Sequence, residues 1–132
     1  MAHQLSVFIG NQSGRFHEVA RVLAENGVNI LSFSLADTAD YGILRMICDN
    51  TEKGLEALRA NSITARLTDV LLVPIEPQIG SLTLMLDVIG TDVNIAYMYP
   101  YSTQGPDAGM VLKVDEPELV KERLLQANFS VA

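Results

Sequence analysis

The sequence predicts an α+β fold: two βαββαβ units in tandem, over residues 1–68 and 69–132, each an antiparallel sheet with its helices on one face. Three observations predict it. First, the chain repeats itself. Ser13, Gly14, Arg15 and Phe16 open a helical pattern that runs into Gly27, Val28, Asn29 and Ile30, while Ile79, Gly80, Ser81 and Leu82 open another that runs into Asp92, Val93, Asn94 and Ile95. The glycines stand 66 positions apart and the asparagines 65, so the second copy is one residue shorter between them, and equivalent loops carry equivalent sites. Second, both copies run through strand-type and helix-type periodicities in the same order. Third, units of about 65 residues bury too little surface to be stable alone, so they must pack on each other, on a second chain, or both.

The elements follow in order. Leu5, Ser6, Val7, Phe8 and Ile9 form a short β-branched and aromatic run that stops at the Gly10 to Gly14 loop, which reads as a strand and a turn. Phe16, Val19, Ala20 and Leu23 recur at helical spacing, with Ser13 placed to cap the helix start and Gly27 to stop its end. Residues 28–36 and 41–48 make a hairpin about the turn at 37–40. Asp49 and Glu52 have capping-box spacing ahead of a helix striped by Leu55 and Leu58. Residues 63–74 must then hold two strands with little room between them, the first over 63–67 and the second over 69–75. The second copy repeats the plan: a loop over 76–80, a helix over 81–90, a strand over 93–101, and a longer turn over 102–107 containing Gly105 and Pro106. A strand over 108–114 follows, then a helix opened by Asp115, Glu116, Pro117 and Glu118, and a closing stub over 129–131. Proline is tolerated in a first helical turn. This is the split-βαβ plan of ferredoxin-like folds. Ile43, Leu44, Met46 and Ile47 make the sheet apolar on both faces, so the face away from the helices is expected to be covered by another sheet.

Composition narrows the function. The net charge is −7, which opposes nucleic acid, whose phosphates need a basic surface, and also anionic membranes. With 48% hydrophobic residues the chain is rich for its size, which favours self-association. A single cysteine, Cys48, forms no internal disulfide, so a cytoplasmic home is expected and the thiol reads as a small buried hydrophobe. The N-terminal residues lack the basic and long apolar regions of a signal peptide. No apolar run approaches the roughly 20 residues that cross a bilayer.

The loop–helix–strand stretches resemble the ACT domain family, small βαββαβ modules that bind amino acids and regulate metabolism. The family pattern is a loop ending in Gly, an amphipathic helix, then Gly-h-Asn-Ile, with h apolar. The first copy carries it as Asn11, Gln12, Ser13, Gly14, Arg15 and Phe16, then Gly27, Val28, Asn29 and Ile30; the second as Pro77, Gln78, Ile79, Gly80, Ser81 and Leu82, then Asp92, Val93, Asn94 and Ile95. Asp40, Tyr41, Gly42, Ile43, Leu44 and Arg45, with Thr68, Asp69 and Val70 and with Tyr97, Met98 and Tyr99, look like the stand-alone tandem proteins of bacteria in that family. The departures are Ser13 and Ile79 where Pro is frequent, Asp92 where Gly is usual, and a short final strand.

The resemblance implies a ligand-binding set of Asn11, Ser13, Gly14, Arg15, Phe16, Asn29 and Ile30 in the first copy, and Gln78, Gly80, Ser81, Leu82 and Asn94 in the second, placed where units meet. Pro77 replaces the loop Asn there. The chemistry is apt. An amino-acid carboxylate suits a helix start, where backbone N–H groups are unpaired and the dipole favours an anion. Glycine admits close approach, and an Asn amide both donates and accepts. Other readings stand beside these. The glycines serve turns in any fold, the two asparagines can satisfy backbone groups where a strand begins, Arg15 fits a solvated helix face, and Tyr97, Tyr99 and Tyr101 fit a packing or dimer surface. The implied partners are a small amino acid, a second copy, and a metabolic enzyme or transporter that reads the ligand state.

No cofactor is expected and no catalytic set is found. His3 lies at the terminus and His17 beside Glu18. There is no Cys-x-x-Cys for a metal and no P-loop ending. An assembly module without ligand is the first alternative. An acylphosphatase-like hydrolase using Arg15 is the second, weakened because residues 41–48 contain no Asn. An RNA-binding sheet would need basic surroundings.

Overall fold

The computed structural model describes residues 1–10, 13–37, 41–102 and 108–132. Their order is β1 (Ala2–Gly10), α1 (Arg15–Glu25), β2 (Ile30–Asp37), β3 (Tyr41–Cys48), α2 (Thr51–Ala60), β4 (Ala65–Pro74), α3 (Ser81–Ile89), β5 (Ile95–Ser102), β6 (Gly109–Val114) and α4 (Pro117–Gln126). Two compact units result: His3–Thr68, called unit one below, and Asp69–Ala132 with Met1–Ala2, called unit two. Unit one is a ferredoxin-like βαββαβ unit, and unit two has the same order up to α4, with no regular strand after it. The turn residues 38–40 and 103–107, with Gly105 and Pro106, and the site residue Asn11 lie outside the described residues.

In unit one, β3 pairs antiparallel with both β1 and β2, and the β4 side of β1 is joined where the Phe8 N–H donates to the Thr64 carbonyl. The β1–β3 register sets Leu5 opposite Met46 and Val7 opposite Leu44, and all four are fully buried. Val19, Val22 and Leu23 of α1 and Ala57 and Leu58 of α2 close over them. The face away from the helices carries Gln4, Ser6, Ser32 and Ile47, all buried. Its polar groups are satisfied, as burial requires: the Gln4 amide donates to Ser6 Oγ at 3.0 Å, and Ser6 Oγ lies 2.7 Å from Thr68 Oγ1.

Unit two follows the same plan. β6 pairs with β4 and β5, setting Leu71 and Met98 opposite Leu112. Leu71, Val73, Leu112 and Val114 meet Met85 and Ile89 of α3 and Val120 and Leu124 of α4. Tyr97 and Tyr99 sit on the other face, and a register shift between Pro100 and Ser102 takes Tyr101 out of their alternation. Proline is tolerated there because β5 is an outer strand of its sheet.

Four sequence-based expectations are corrected. Residues 63–74 hold one continuous strand, β4, rather than two. Leu67, Thr68, Asp69 and Val70 contain no Gly or Pro, so nothing breaks the extended chain. The closing stub is not a regular strand. It contributes one pair, in which Ala132 and Leu72 each donate a backbone N–H to the other's carbonyl, at 3.0 and 3.2 Å. The cap of α1 is Gly14, not Ser13. The cap of α2 is Asn50, whose Oδ1 accepts from the Lys53 N–H, so Asp49 is released for another task.

Three helices end alike. The N–H of Val28, Ile63 and Phe129 reaches back to the carbonyl of Leu23, Leu58 and Leu124, each at 2.9 Å. This is a Schellman closure, with its apolar pair between the residue past the cap and the last turn. The left-handed position is Gly27, Ser62 or Asn128.

Asp92 stands where the family's Gly is usual, and the fold gives it work. Arg123 of α4 forks onto it, Nη1 to Oδ1 at 2.8 Å and Nη2 to Oδ2 at 2.9 Å, while Nη1 also donates to the Ile89 carbonyl at 2.7 Å. The Arg123 guanidinium therefore holds the Asp92 carboxyl down to about 2, from its ordinary 3.8. The native state thus resists protonation that the unfolded chain accepts, so this contribution is present above about pH 4 and lost as pH falls towards 2. Unfolding followed against pH should show this decline, and Asp92→Asn should flatten it.

Candidate functional site

The equivalent helix starts are built in the same way. Gly14 has φ 84° and ψ 0°, and Gly80 has φ 89° and ψ −7°. These are left-handed conformations that side chains avoid. Among the described residues, chain neighbours and the helix backbone aside, nothing lies within 4 Å of where a Cβ would sit on either glycine, so the requirement is conformational. Among the described residues no side chain caps either helix. In α3 the Ser81 N–H donates to the Gln78 carbonyl at 3.2 Å, and at both starts the positive end of the helix dipole stands beside the glycine.

The asparagines are also placed alike. The Asn29 N–H donates to Asp49 Oδ1 at 2.9 Å, and the Asp49 N–H donates to the Asn29 carbonyl at 3.0 Å. In unit two the Asn94 N–H donates to Asp115 Oδ1 and the Asp115 N–H to the Asn94 carbonyl, both at 3.2 Å. Both ties run through the asparagine backbone rather than the side-chain amide, and both asparagines are exposed. The aspartates are the component that sequence reasoning missed, having assigned them to helix capping. The signal was available: Asp49 and Asp115 are 66 apart, the same interval as the glycines.

The other site residues diverge between units. Ser13 is exposed. Arg15 pairs with Glu18, Nη1 to Oε2 at 3.1 Å, and its guanidinium lies beside Gly10. Phe16 is half-buried and packs on Phe33 of β2, ring centroids 5.4 Å apart. Phe33 was not among the sequence candidates, although its alternation with Leu31 and Leu35 marks it. The Ile30 side chain packs against the unit-one core. In unit two, Leu82 is 45% exposed and neighbouring Ile79 wholly so.

Gln78 and Ser81 come together in a cleft of about 620 Å³. Its walls are the loop after β4, through Ile75, Glu76 and Pro77, the Leu84 side of α3, and the α4 end and tail, through Asn128 and Phe129. A smaller groove of about 300 Å³ lies by Leu72, Tyr101 and Met110, with the tail residues Ser130 to Ala132 on its rim. Leu82, Gly80 and Asn94 do not line the cleft.

Cys48 is buried, and burial with the neighbouring Asp49 carboxylate pushes its thiol up to about 11. It stays protonated at neutral pH, when only the thiolate is a good nucleophile. Among the described residues, no three His, Cys, Asp or Glu side chains gather as a metal set, and no helix is long and apolar enough to cross a membrane.

A family model described as an ACT domain pair matches residues 1–132. The crystal structure of protein BT0572 from Bacteroides thetaiotaomicron is similar at 32% identity and TM-score 0.91, covering 99% of this chain and 91% of that one. The ligand-free regulatory subunit of aspartate kinase from Thermus thermophilus is similar in fold, at 18% identity and TM-score 0.64, covering 95% of this chain and 91% of that one. The corresponding Thermus flavus subunit matches at 19% identity and TM-score 0.57, covering 95% and 92%. No match is found among curated proteins.

Proposed function

The chain belongs to the ACT domain pair family, and on that premise we propose that it is a non-catalytic, cytoplasmic sensor of a small amino acid. The observation that carries this reading is the duplicated constellation: a left-handed glycine at a helix start, and an exposed asparagine whose backbone is tied to an aspartate. The helix start takes the ligand carboxylate, and the asparagine amide bridges to carboxylate and ammonium together. Arg15 and Phe16 extend the site of unit one, and Gln78 and Ser81 that of unit two.

The protein acts as a homodimer. Support comes from exposed apolar side chains: Leu31, Phe33 and Leu35 along β2, and Ile79 just before α3 with Leu82 and Leu86 along it. A partner enzyme or transporter reads the ligand state, by no more than the ligand's differential affinity for two arrangements. The proteins from Thermus that share this fold are regulatory subunits of an enzyme.

Asn29→Ala and Asn94→Ala test the site. Titration calorimetry with each of the twenty amino acids should find a ligand whose affinity falls about 10- to 100-fold in one or both variants, the value of a hydrogen bond to a charged group. The fold should be intact, because Asp49 and Asp115 hold only backbone. An unchanged affinity in both variants contradicts the asparagine role.

A further inference from the structure

The segment after α4 is fastened less firmly than its counterpart in unit one, and one residue accounts for the difference. In unit one the Phe8 N–H donates to the Thr64 carbonyl at 3.0 Å. The positions 66 residues later are Pro74 and Ser130. Proline has no N–H, so this bond has no counterpart in unit two. What remains is the exchange of two backbone bonds between Ala132 and Leu72, at 3.0 and 3.2 Å. In an antiparallel ladder the next such exchange falls two residues along each strand. Here that is Ser130 with Pro74, where proline withholds the donor.

The start of the segment is held well. The Phe129 N–H reaches the Leu124 carbonyl at 2.9 Å, past the left-handed Asn128. Phe129 and Val131 pack against the core, while Ser130 between them is exposed. Ser130 and Pro74 also stand where two cavities meet, for both residues line the cleft of about 620 Å³ and the groove of about 300 Å³. Val131 and Ala132 line the groove.

We propose that residues 130–132 form a strap, hinged after Phe129, that swings off β4 while the rest of unit two stays folded. Opening breaks the Leu72–Ala132 pair and lifts Val131 from its packing. Two backbone bonds and one half-buried valine are a small part of what holds the unit together, which makes the opening local rather than global. It removes the wall that Ser130, Val131 and Ala132 give the groove, so that groove and cleft become one space, and it exposes the Leu72 N–H and carbonyl. Pro74 keeps the strap on a single pair. The opening needs no ligand.

Amide hydrogen exchange of the full chain without ligand, followed by NMR, reads the strap at two adjacent residues. The Ile75 N–H donates to the Ala108 carbonyl, on the β6 side of β4. Amide direction alternates along a strand, so the Val73 N–H also points towards β6 and the Leu72 N–H points to the strap. The expected result is protection at Leu72 at least tenfold below that at Val73. Low denaturant should leave the Leu72 protection nearly unchanged, while that of Val73 falls. Pro74→Ala restores a donor on the strap side. It should raise protection at Leu72 about tenfold relative to Val73, the value of one hydrogen bond. Equal protection at the two residues, with the same denaturant dependence, overturns the strap, because the segment then leaves only as unit two unfolds. A Leu72 to Val73 ratio that Pro74→Ala leaves unchanged also overturns it, because the missing donor is then not what loosens the segment. No amino acid is added, so neither result bears on the amino-acid reading above.

Discussion

Leu58→Ala and Leu124→Ala should each remove about 2–5 kcal/mol of stability, the loss expected when a fully buried leucine leaves a cavity. The two residues are repeat equivalents with no exposed surface. Each reaches the sheet from the last turn of the second helix of its unit, and each carbonyl accepts the Schellman bond from Ile63 or Phe129. The backbone bond survives truncation, but the apolar contact that accompanies it does not. Leu58→Ala should speed amide exchange chiefly in unit one and Leu124→Ala chiefly in unit two. Denaturant midpoints would check the magnitude. A loss below about 1 kcal/mol would mean that the cores collapse around the gap more completely than close packing permits.

Gly109→Ala should cost about 1–3 kcal/mol, as overpacking does. A Cβ there would stand 2.8 Å from the Val73 carbonyl oxygen and 3.1 Å from Pro74 Cα. Both are backbone of the partner strand, held by the β4–β6 register, so neither can rotate away. Gly54→Ala is the control. Its Cβ would meet the tip of Leu5, Cδ1, at 2.9 Å, which a rotamer change relieves, and alanine gains roughly 0.5–1 kcal/mol over glycine inside a helix. Thermal unfolding should place Gly54→Ala near the parent and Gly109→Ala well below it. The reverse order would mean that the strand pair yields more easily than a leucine side chain.

Much of this was legible in the sequence because the repeat is written in residues with one physical meaning each. A glycine forced left-handed, a leucine at zero exposure and an Asn at the same offset survive in both copies, so the tandem plan and its helices could be read directly. The shared strand β4 could not. Its residues are those of any strand, and the expectation of two complete units imposed a break where the chain has none. The tail was half legible. Phe129 follows from the α4 closure, but its single pair with β4 through Ala132 depends on where the chain runs in space. Of the proposed site, Gly14, Gly80, Asn29 and Asn94 were named from pattern. Asp49 and Asp115 were assigned to capping because local spacing suits that equally well, and only tertiary pairing shows that they tie two strands' starts. Phe33 and Phe129 escaped because aromatic side chains on a strand or tail read first as packing.

The most direct test of the central claim is thermal unfolding of the full chain against each of the twenty amino acids. A ligand at about 100 times its dissociation constant adds about 2.7 kcal/mol, which raises the midpoint by several degrees in a protein of this size. The account predicts such a rise with at least one amino acid. No rise with any of the twenty, at concentrations into the millimolar range, would contradict it.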